Sequence, residues 1–223
     1  MSREKPIIEW QDLGAVRYAD AWSLQERLRG QRLAGEIRDR LLLLEHLPVI
    51  TQGKRGISSD VLTPEDELAK EGIDLFVTNR GGRATYHGPG QVVGYFIFDL
   101  GSIGLGVKEF VRAIEGMLMD ALAGFGIEAA RDKDHPGLWV GCDKIAAIGL
   151  HISHNVTQHG FALNASCDLA PYRHIVACGI SDRGVTTMER VLGRPQHIGQ
   201  IKRAIVRAAA GAFGCEMVEI SGG

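Results

Sequence analysis

The sequence predicts an α/β or α+β fold, in which helices flank a mixed β-sheet within a single domain. Two observations predict this class: three segments carry the apolar spacing of amphipathic helices, and short β-prone runs cluster between them. A third observation concerns domain number. The 223 residues contain no internal repeat and no Pro/Ser-rich linker, so we expect one domain over residues 1–223.

Three helices are predicted from apolar residues that recur every three or four positions. They cover about residues 19–40, 107–125 and 196–213, and glycines follow the second and third segments, where they end a helix. The apolar residues that define these helices are Trp22, Leu24, Leu28, Leu33 and Ile37; Val107, Phe110, Val111, Ile114, Met117, Leu118 and Leu122; and Ile198, Ile201, Ile205, Ala208 and Phe213.

The strands are predicted from short runs rich in β-branched and aromatic residues. These runs are residues 48–52, 75–78, 92–100, 139–140, 145–152 and 161–164. Because they lie among the predicted helices, they favour a mixed sheet with helices packed on it.

Composition excludes several classes of function. A formal net charge of −2 gives no basic field that would attract nucleic acid, so we expect no nucleic-acid partner. The longest apolar run, residues 41–44, is far shorter than the roughly 20 residues that span a bilayer. The first ten residues lack the apolar core of a secretory signal. We therefore expect a cytoplasmic protein that does not associate with a membrane.

Cysteine is the first candidate for chemistry. Cys142, Cys167, Cys178 and Cys215 show no C-x-x-C spacing, and in a reducing compartment they should be free thiols. Cys142, Cys167 and Cys215 are interpreted as structural. Cys178 is followed by a glycine in a short apolar stretch, where a turn could expose its thiol beside backbone N–H groups. A buried structural cysteine is the alternative.

The densest polar segment is residues 80–91, which read RGGRATYHGPGQ. Paired glycines allow a sharp turn or a close approach to the backbone, and the neighbouring side chains add hydrogen-bond donors. We interpret the segment as a binding loop, with a pair of ordinary connecting turns as the alternative. It lacks the GxxxxGK[ST] pattern of a phosphate-binding P-loop.

Two further segments could face a ligand. Lys144 opens a strand-like apolar run. Lost hydration there would lower the pKa of its ammonium group and let it exchange protons. A lysine whose ammonium group reaches solvent is the alternative.

The second segment is residues 159–164, in which small and large side chains alternate. This pattern is typical of a strand that passes close to a ligand and, equally, of a plain core strand. The isolated histidines show no metal-ligand spacing, so we expect no metal site.

Together these segments resemble one family, the lipoyl(octanoyl) transferases, which is related in fold to the biotin and lipoate protein ligases. The resemblance covers roughly residues 10–215 and includes LEH at 44–46. The matching strings are RGG-x-x-TYHGPGQ at 80–91, KIA-x-IG at 144–149, HGFALN at 159–164, and CG at 178–179 followed by GVTT at 184–187. One departure is Ala147, since many members carry serine at this position.

The resemblance implies an acyltransferase that moves an octanoyl group from octanoyl-acyl carrier protein to a lysine of a lipoyl domain. Cys178 would carry the acyl group as a thioester and Lys144 would be its catalytic partner, with no cofactor. The acceptors would be lipoyl domains of 2-oxoacid dehydrogenase complexes and the glycine-cleavage carrier protein, and the enzyme would be a monomer. The implied substrate-contacting residues are Arg80, Gly81, Gly82, Arg83, Ala84, Thr85, Tyr86, His87, Ala147, Ile148, Gly149, Gly160, Phe161 and Ala162.

Three alternatives stay open at this point. An ATP-dependent lipoate or biotin ligase of similar fold would use the lysine but no acyl-cysteine. An amidotransferase that moves octanoyl groups between carrier domains would also use a cysteine. A non-catalytic module that binds acyl groups or carrier proteins would form no covalent intermediate.

Overall fold

The computed structural model describes residues 5–177 and 183–221. The strands are β1 (Ile7–Val16), β2 (Arg40–His46), β3 (Val49–Gln52), β4 (Asp74–Val77), β5 (Ala84–His87), β6 (Gln91–Ile97), β7 (Ala130–Arg131), β8 (Gly137–Val140), β9 (Asp143–Ser153), β10 (Val156–Asn164) and β11 (Glu216–Glu219). Eight of them form one sheet in the order β11-β1-β2-β6-β10-β9-β8-β7, and three form a small sheet in the order β4-β3-β5. The large sheet is mixed, as predicted: β1 runs parallel to β11 and β2, and the other pairs are antiparallel.

Helices cover both faces of the large sheet. They are α1 (Tyr18–Leu33), α2 (Glu65–Lys70), α3 (Leu100–Ile103), α4 (Val107–Ala123), α5 (Met188–Leu192) and α6 (Ile198–Ala212), with 3-10 turns at Ser58–Asp60 and Ala170–His174. Leu41 and Leu43 of β2 share a buried cluster with residues of α4 and α6, and Leu42 and Leu44 share another with α1. This apolar run is buried on both faces because it lies between two helical layers. Within the described residues, no helix has the length and apolar character needed to cross a membrane.

The first predicted helix is correct in position but too long. α1 ends at Leu33, which is 43% exposed, and Gly35 then turns the chain with a φ of 73° before Arg40 begins β2. A glycine takes this left-handed conformation without steric cost. One core position of α1 is polar, since Gln25 is fully buried and its Oε1 accepts the backbone N–H of His159 at 2.8 Å.

The second and third predicted helices are confirmed as α4 and α6, and each is shorter than predicted. Val107 was predicted to help form the apolar face of α4, but it lies in the first turn and is 51% exposed. The run predicted as a strand over 92–100 ends at Ile97. The Asp99 carboxylate accepts the N–H of Gly101 at 2.9 Å and caps α3, which stops the strand.

Four glycines bring neighbouring backbones unusually close in the middle of the fold. We call Gly94 of β6, Gly160 of β10, Gly149 of β9 and Gly81 after β4 the glycine row. Gly160 pairs with Gly149, and a Cβ added to Gly160 would lie 2.2 Å from the carbonyl oxygen of Gly94. A Cβ on Gly149 would lie 2.9 Å from the carbonyl oxygen of Gly81. The small sheet can therefore approach the large one at this line because side chains are absent there.

We predict that Gly160→Ala destabilises the fold. The added methyl group meets a backbone oxygen that no rotamer change can move, so overpacking should cost about 2 kcal/mol and lower Tm by about 4–8 °C. Thermal denaturation checks this. The control is Gly30→Ala in α1, where nothing lies within 4 Å of the new Cβ; it should keep or raise Tm. Equal Tm values for the two variants would contradict the close approach.

Candidate active site

A cavity of about 370 Å³ lies between the small sheet and the face formed by β6, β10 and β9. Every substrate position implied by the sequence lines it, with the exception of Tyr86. The ring of Tyr86 packs instead in the cluster under the small sheet, edge to face with Tyr172 at a centroid distance of 5.8 Å. The structure thus gathers residues 80–85, His87, residues 147–149 and residues 160–162 around one space.

Arg80 fixes the loop that forms one wall of the cavity. It is 8% exposed, and its Nε and Nη2 donate to the hydroxyl of Thr51 at 3.1 and 2.8 Å, while Nη1 donates to the carbonyl of Gly81 at 3.0 Å. The N–H of Gly81 in turn donates to the carbonyl of Leu150 at 2.8 Å. Gly82 has a φ of 88°, so the turn requires a glycine there. The wall is a rigid turn with bare backbone facing the cavity.

Arg83 is held by an ion pair with Asp60, whose side chain is fully buried. Hydrogen bonds from Arg83 lower the pKa of the Asp60 carboxyl, so this group stays ionised at neutral pH. The backbone carbonyl of Asp60 accepts the N–H of Val176 at 2.8 Å. Asp60 therefore ties the binding loop to the segment that precedes residues 178–182.

His46 and Tyr95 form a buried polar contact near the cavity. His46 Nδ1 donates to the carbonyl of Val16 at 3.1 Å, so its Nε2 must accept the hydroxyl of Tyr95 at 2.6 Å. Burial lowers the pKa of His46 to about 4 and raises that of Tyr95 well above its usual value. Both groups are neutral at physiological pH.

His87 and His159 are neutral for the same reason. His87 Nδ1 donates to the side-chain oxygen of Gln91 at 2.7 Å, and His159 Nε2 donates to that of Asn79 at 2.6 Å. Burial lowers the pKa of His87 well below its ordinary value and that of His159 to about 3, with the charge of Arg80 adding to both shifts. Each imidazole is held as one neutral tautomer by its hydrogen-bond partner.

Lys144 lies where the cavity meets β8. It is 7% exposed, its Nζ donates to the carbonyl of Pro136 at 3.3 Å, and the same atom lies 4.8 Å from the centroid of the Trp139 ring. A second cavity of about 20 Å³ is also lined by Lys144, together with Ala177 and Arg183. The predicted nucleophile, Cys178, lies outside the described residues.

The other three cysteines divide into two kinds. Burial raises the pKa of Cys167 to about 12 and that of Cys215 to about 11, so both thiols are protonated and unreactive at neutral pH. Cys142 was expected to be a structural residue, but it is exposed, because it lies in the turn between β8 and β9. Within residues 5–177 and 183–221, no group of three or more His, Cys, Asp or Glu could hold a metal ion.

Several cavity residues are absent from the predicted set. They lie in α1, β6, β10 and two loops, and they are Tyr18, Arg55, Val93, Tyr95, Asp134, His135, Pro136 and His159. His159 stands within HGFALN, one of the strings that carry the family resemblance, so that string contained a usable signal. Nothing in the local sequence singles out Tyr18 or Pro136, which reach the site through tertiary packing.

The chain is similar to known proteins over almost its full length. A family model for the lipoyl protein ligase A/B catalytic domain matches residues 17–210. An octanoyltransferase of Caldicellulosiruptor saccharolyticus is 44% identical, covering 94% of this chain and 90% of that protein. An octanoyltransferase of Solibacter usitatus is 46% identical, covering 92% and 93%.

Solved structures show the same fold at low sequence identity. A bipartite lipoate protein ligase of Thermoplasma acidophilum superposes with a TM-score of 0.71 at 14% identity, covering 98% of this chain and 88% of that chain. A biotin protein ligase of Aquifex aeolicus gives 0.53 at 12% identity, covering 95% and 69%. The predicted similarity in fold to lipoate and biotin ligases is therefore confirmed.

We predict that the protein loses stability steeply as pH falls below about 6.5. His46 and His159 have folded pKa values of about 4 and 3, below the unfolded value of 6.5, so between these values the unfolded chain binds more protons. Each histidine should remove about 1.4 kcal/mol of unfolding free energy per pH unit once the unfolded form is protonated. Urea denaturation at pH 7.5, 6.5, 5.5 and 4.5 measures the slope.

The exposed His197 provides the control for this slope. His197→Gln should reproduce the wild-type pH dependence, whereas His46→Asn should reduce proton uptake on unfolding by about one proton. A wild-type unfolding free energy that stays constant down to pH 5 would show that the histidines are not held neutral by burial.

Proposed function

The chain belongs to the lipoyl protein ligase A/B catalytic-domain family and is an acyltransferase, and from this premise we propose that it transfers an octanoyl group from octanoyl-acyl carrier protein to lysine side chains of lipoyl domains. The observation that carries the proposal is the position of Lys144, a buried lysine on the wall of a 370 Å³ cavity. Both named relatives are octanoyltransferases.

In the first step the thiolate of Cys178 attacks the carbonyl carbon of the donor thioester. A carbon–sulfur bond forms to Cys178, the carbon–sulfur bond to the carrier breaks, and the carrier leaves as a thiolate. The ammonium group of Lys144 stabilises the Cys178 thiolate before the attack and then gives its proton to the leaving carrier thiolate, so Lys144 is neutral when the step is complete. One thioester replaces another, so no ATP is needed.

In the second step the acceptor amine attacks the acyl-Cys178 carbonyl. A carbon–nitrogen bond forms, the Cys178 thiolate leaves, and the neutral form of Lys144 accepts the proton that the amine loses. An amide is more stable than a thioester, so this step runs downhill. The enzyme returns to its starting state with Cys178 free.

The described residues support this chemistry in two ways. Ala177 and Arg183, which flank residues 178–182, both line the small cavity beside Lys144. Val93, Ile148 and Phe161 give the large cavity an apolar wall suited to a hydrocarbon chain. The histidines next to this wall are neutral, so a bound hydrocarbon tail would not have to displace water from a charged imidazole.

The proposal extends to partners and location. The Thermoplasma acidophilum ligase was described with its E2 lipoyl domain, which supports a lipoyl-domain acceptor for the present fold. The proposal further includes the glycine-cleavage carrier protein as an acceptor and a monomeric state, both implied by the family resemblance, and a cytoplasmic location.

We predict that incubation with octanoyl-acyl carrier protein alone adds one octanoyl mass to the protein. Intact-protein and peptide mass spectrometry should place the adduct on Cys178, and Cys178→Ala should abolish it. The control is Cys142→Ala, which removes an exposed thiol and should keep the adduct. Transfer to a lipoyl domain that requires ATP and leaves no adduct would refute the proposal and favour a ligase.

We predict that Lys144→Ala slows acylation of the protein by about 10²- to 10⁴-fold, the usual contribution of general acid–base catalysis. Single-turnover kinetics with octanoyl-acyl carrier protein measures the rate. Lys144→Arg keeps the positive charge but cannot release a proton, so it should restore the first step more than the second. A Lys144→Ala rate close to that of the wild type would remove Lys144 from the mechanism.

A further inference from the structure

A β-bulge in the β8–β9 ladder places an aromatic ring directly beside Lys144. Leu138 pairs with Ala146, but Trp139 pairs with Lys144 rather than with Ile145, so β9 contains one extra residue at this point. In an unbroken ladder Lys144 would lie opposite Val140. The bulge thus shifts the register of β9 against β8 by one residue and places the indole and the lysine opposite each other on the same face of the sheet.

The indole of Trp139 is itself fixed in place. The residue is 3% exposed, and its Nε1 donates to the carbonyl of His135 at 3.4 Å. Two cations lie on the ring: the Lys144 ammonium nitrogen is 4.8 Å from the centroid, and the guanidinium carbon of Arg183 is 4.1 Å from it. Both distances are within the range of a cation–π interaction.

Asp132 organises both sides of this arrangement. One oxygen of its carboxylate accepts Nη1 of Arg183 at 2.7 Å, and the other accepts the backbone N–H groups of Asp134 and His135 at 2.9 and 3.0 Å. The same loop presents the carbonyl of Pro136 that accepts the ammonium of Lys144. One carboxylate therefore holds the guanidinium of Arg183, which lies on the Trp139 ring, and also fixes the loop whose carbonyl contacts Lys144.

We propose that Trp139 is a positioning residue, which holds Nζ of Lys144 in place for proton transfer through its aromatic face. This inference rests on the function proposed above for Lys144. An aromatic face attracts the ammonium form but carries no net charge, so the contact with Trp139 leaves no uncompensated charge behind when the lysine loses its proton. A carboxylate in the same position would oppose that loss.

The test weakens the aromatic face without changing its shape. The chain contains three tryptophans, so in a Trp10→Phe, Trp22→Phe background the indole of Trp139 can be replaced by biosynthetic incorporation of tryptophan carrying one, two or three fluorines. Fluorine withdraws electron density from the ring. We expect the single-turnover acylation rate to fall stepwise, by about 10-fold in total, with an unchanged Tm.

Two further sets of variants sharpen the result. Trp139→Phe should lose less rate than Trp139→Leu, for which we expect a loss of about 10- to 100-fold. If Trp139→Leu does not fold, the fluorinated series still decides the question. The matched control is a Trp139→Phe, Trp22→Phe chain, in which fluorination affects Trp10 of β1 alone and should leave the acylation rate unchanged.

The outcomes separate this inference from the proposed function. A rate that does not change with fluorination, in an enzyme that Lys144→Ala inactivates, would overturn the role of Trp139 and leave the proposed function standing. A Lys144→Ala variant as fast as the wild type would overturn the proton role itself, whatever the fluorinated series shows.

Discussion

The close approach of backbones along the glycine row is the constraint on which the site depends. Gly94, Gly160 and Gly149 lie on three adjacent strands, and Gly81 joins them from the loop between β4 and β5. A side chain at Gly160 or Gly149 would meet a carbonyl oxygen on the neighbouring segment. The cavity beside this row exists because two sheets converge there without side chains to fill the angle between them. Stability and site geometry therefore depend on the same residues, as is common where function uses close-packed backbone.

Basic and apolar side chains divide the lining of the cavity. Arg80 and Lys144 line it, and the guanidinium of Arg183 shares the Trp139 ring with Lys144. His159 lines the same cavity and is buried deeply enough to stay neutral. Val93, Ile148 and Phe161 form an apolar wall. This wall suits the hydrocarbon tail of an acyl substrate better than a small polar ligand.

Periodicity in the sequence predicted part of the fold. Each of the six β-prone runs overlaps a strand, and α4 and α6 follow their apolar spacing. The strands β1, β2, β5, β7 and β11 were not predicted. Exposed polar residues conceal the pattern in β1 and β11, which form an edge of the sheet, whereas the leucine run of β2 shows no alternation because it is buried on both faces. The apolar pattern did not identify every buried position of α1. One of them is Gln25, whose side-chain oxygen accepts a backbone N–H of β10. Tertiary hydrogen bonding of this kind has no local signature.

The site was predictable where its residues stand in short strings and not where they meet through packing. Residues 80–85 and His87 line the cavity, as do Lys144 and residues 147–149, because each group lies in a continuous turn or strand. Trp139 and Lys144, in contrast, are opposite one another owing to the one-residue bulge in β9. Alternation alone would have placed Lys144 opposite Val140. The environment of the proposed catalytic lysine is therefore decided by strand register, which side-chain spacing in one sequence cannot reveal.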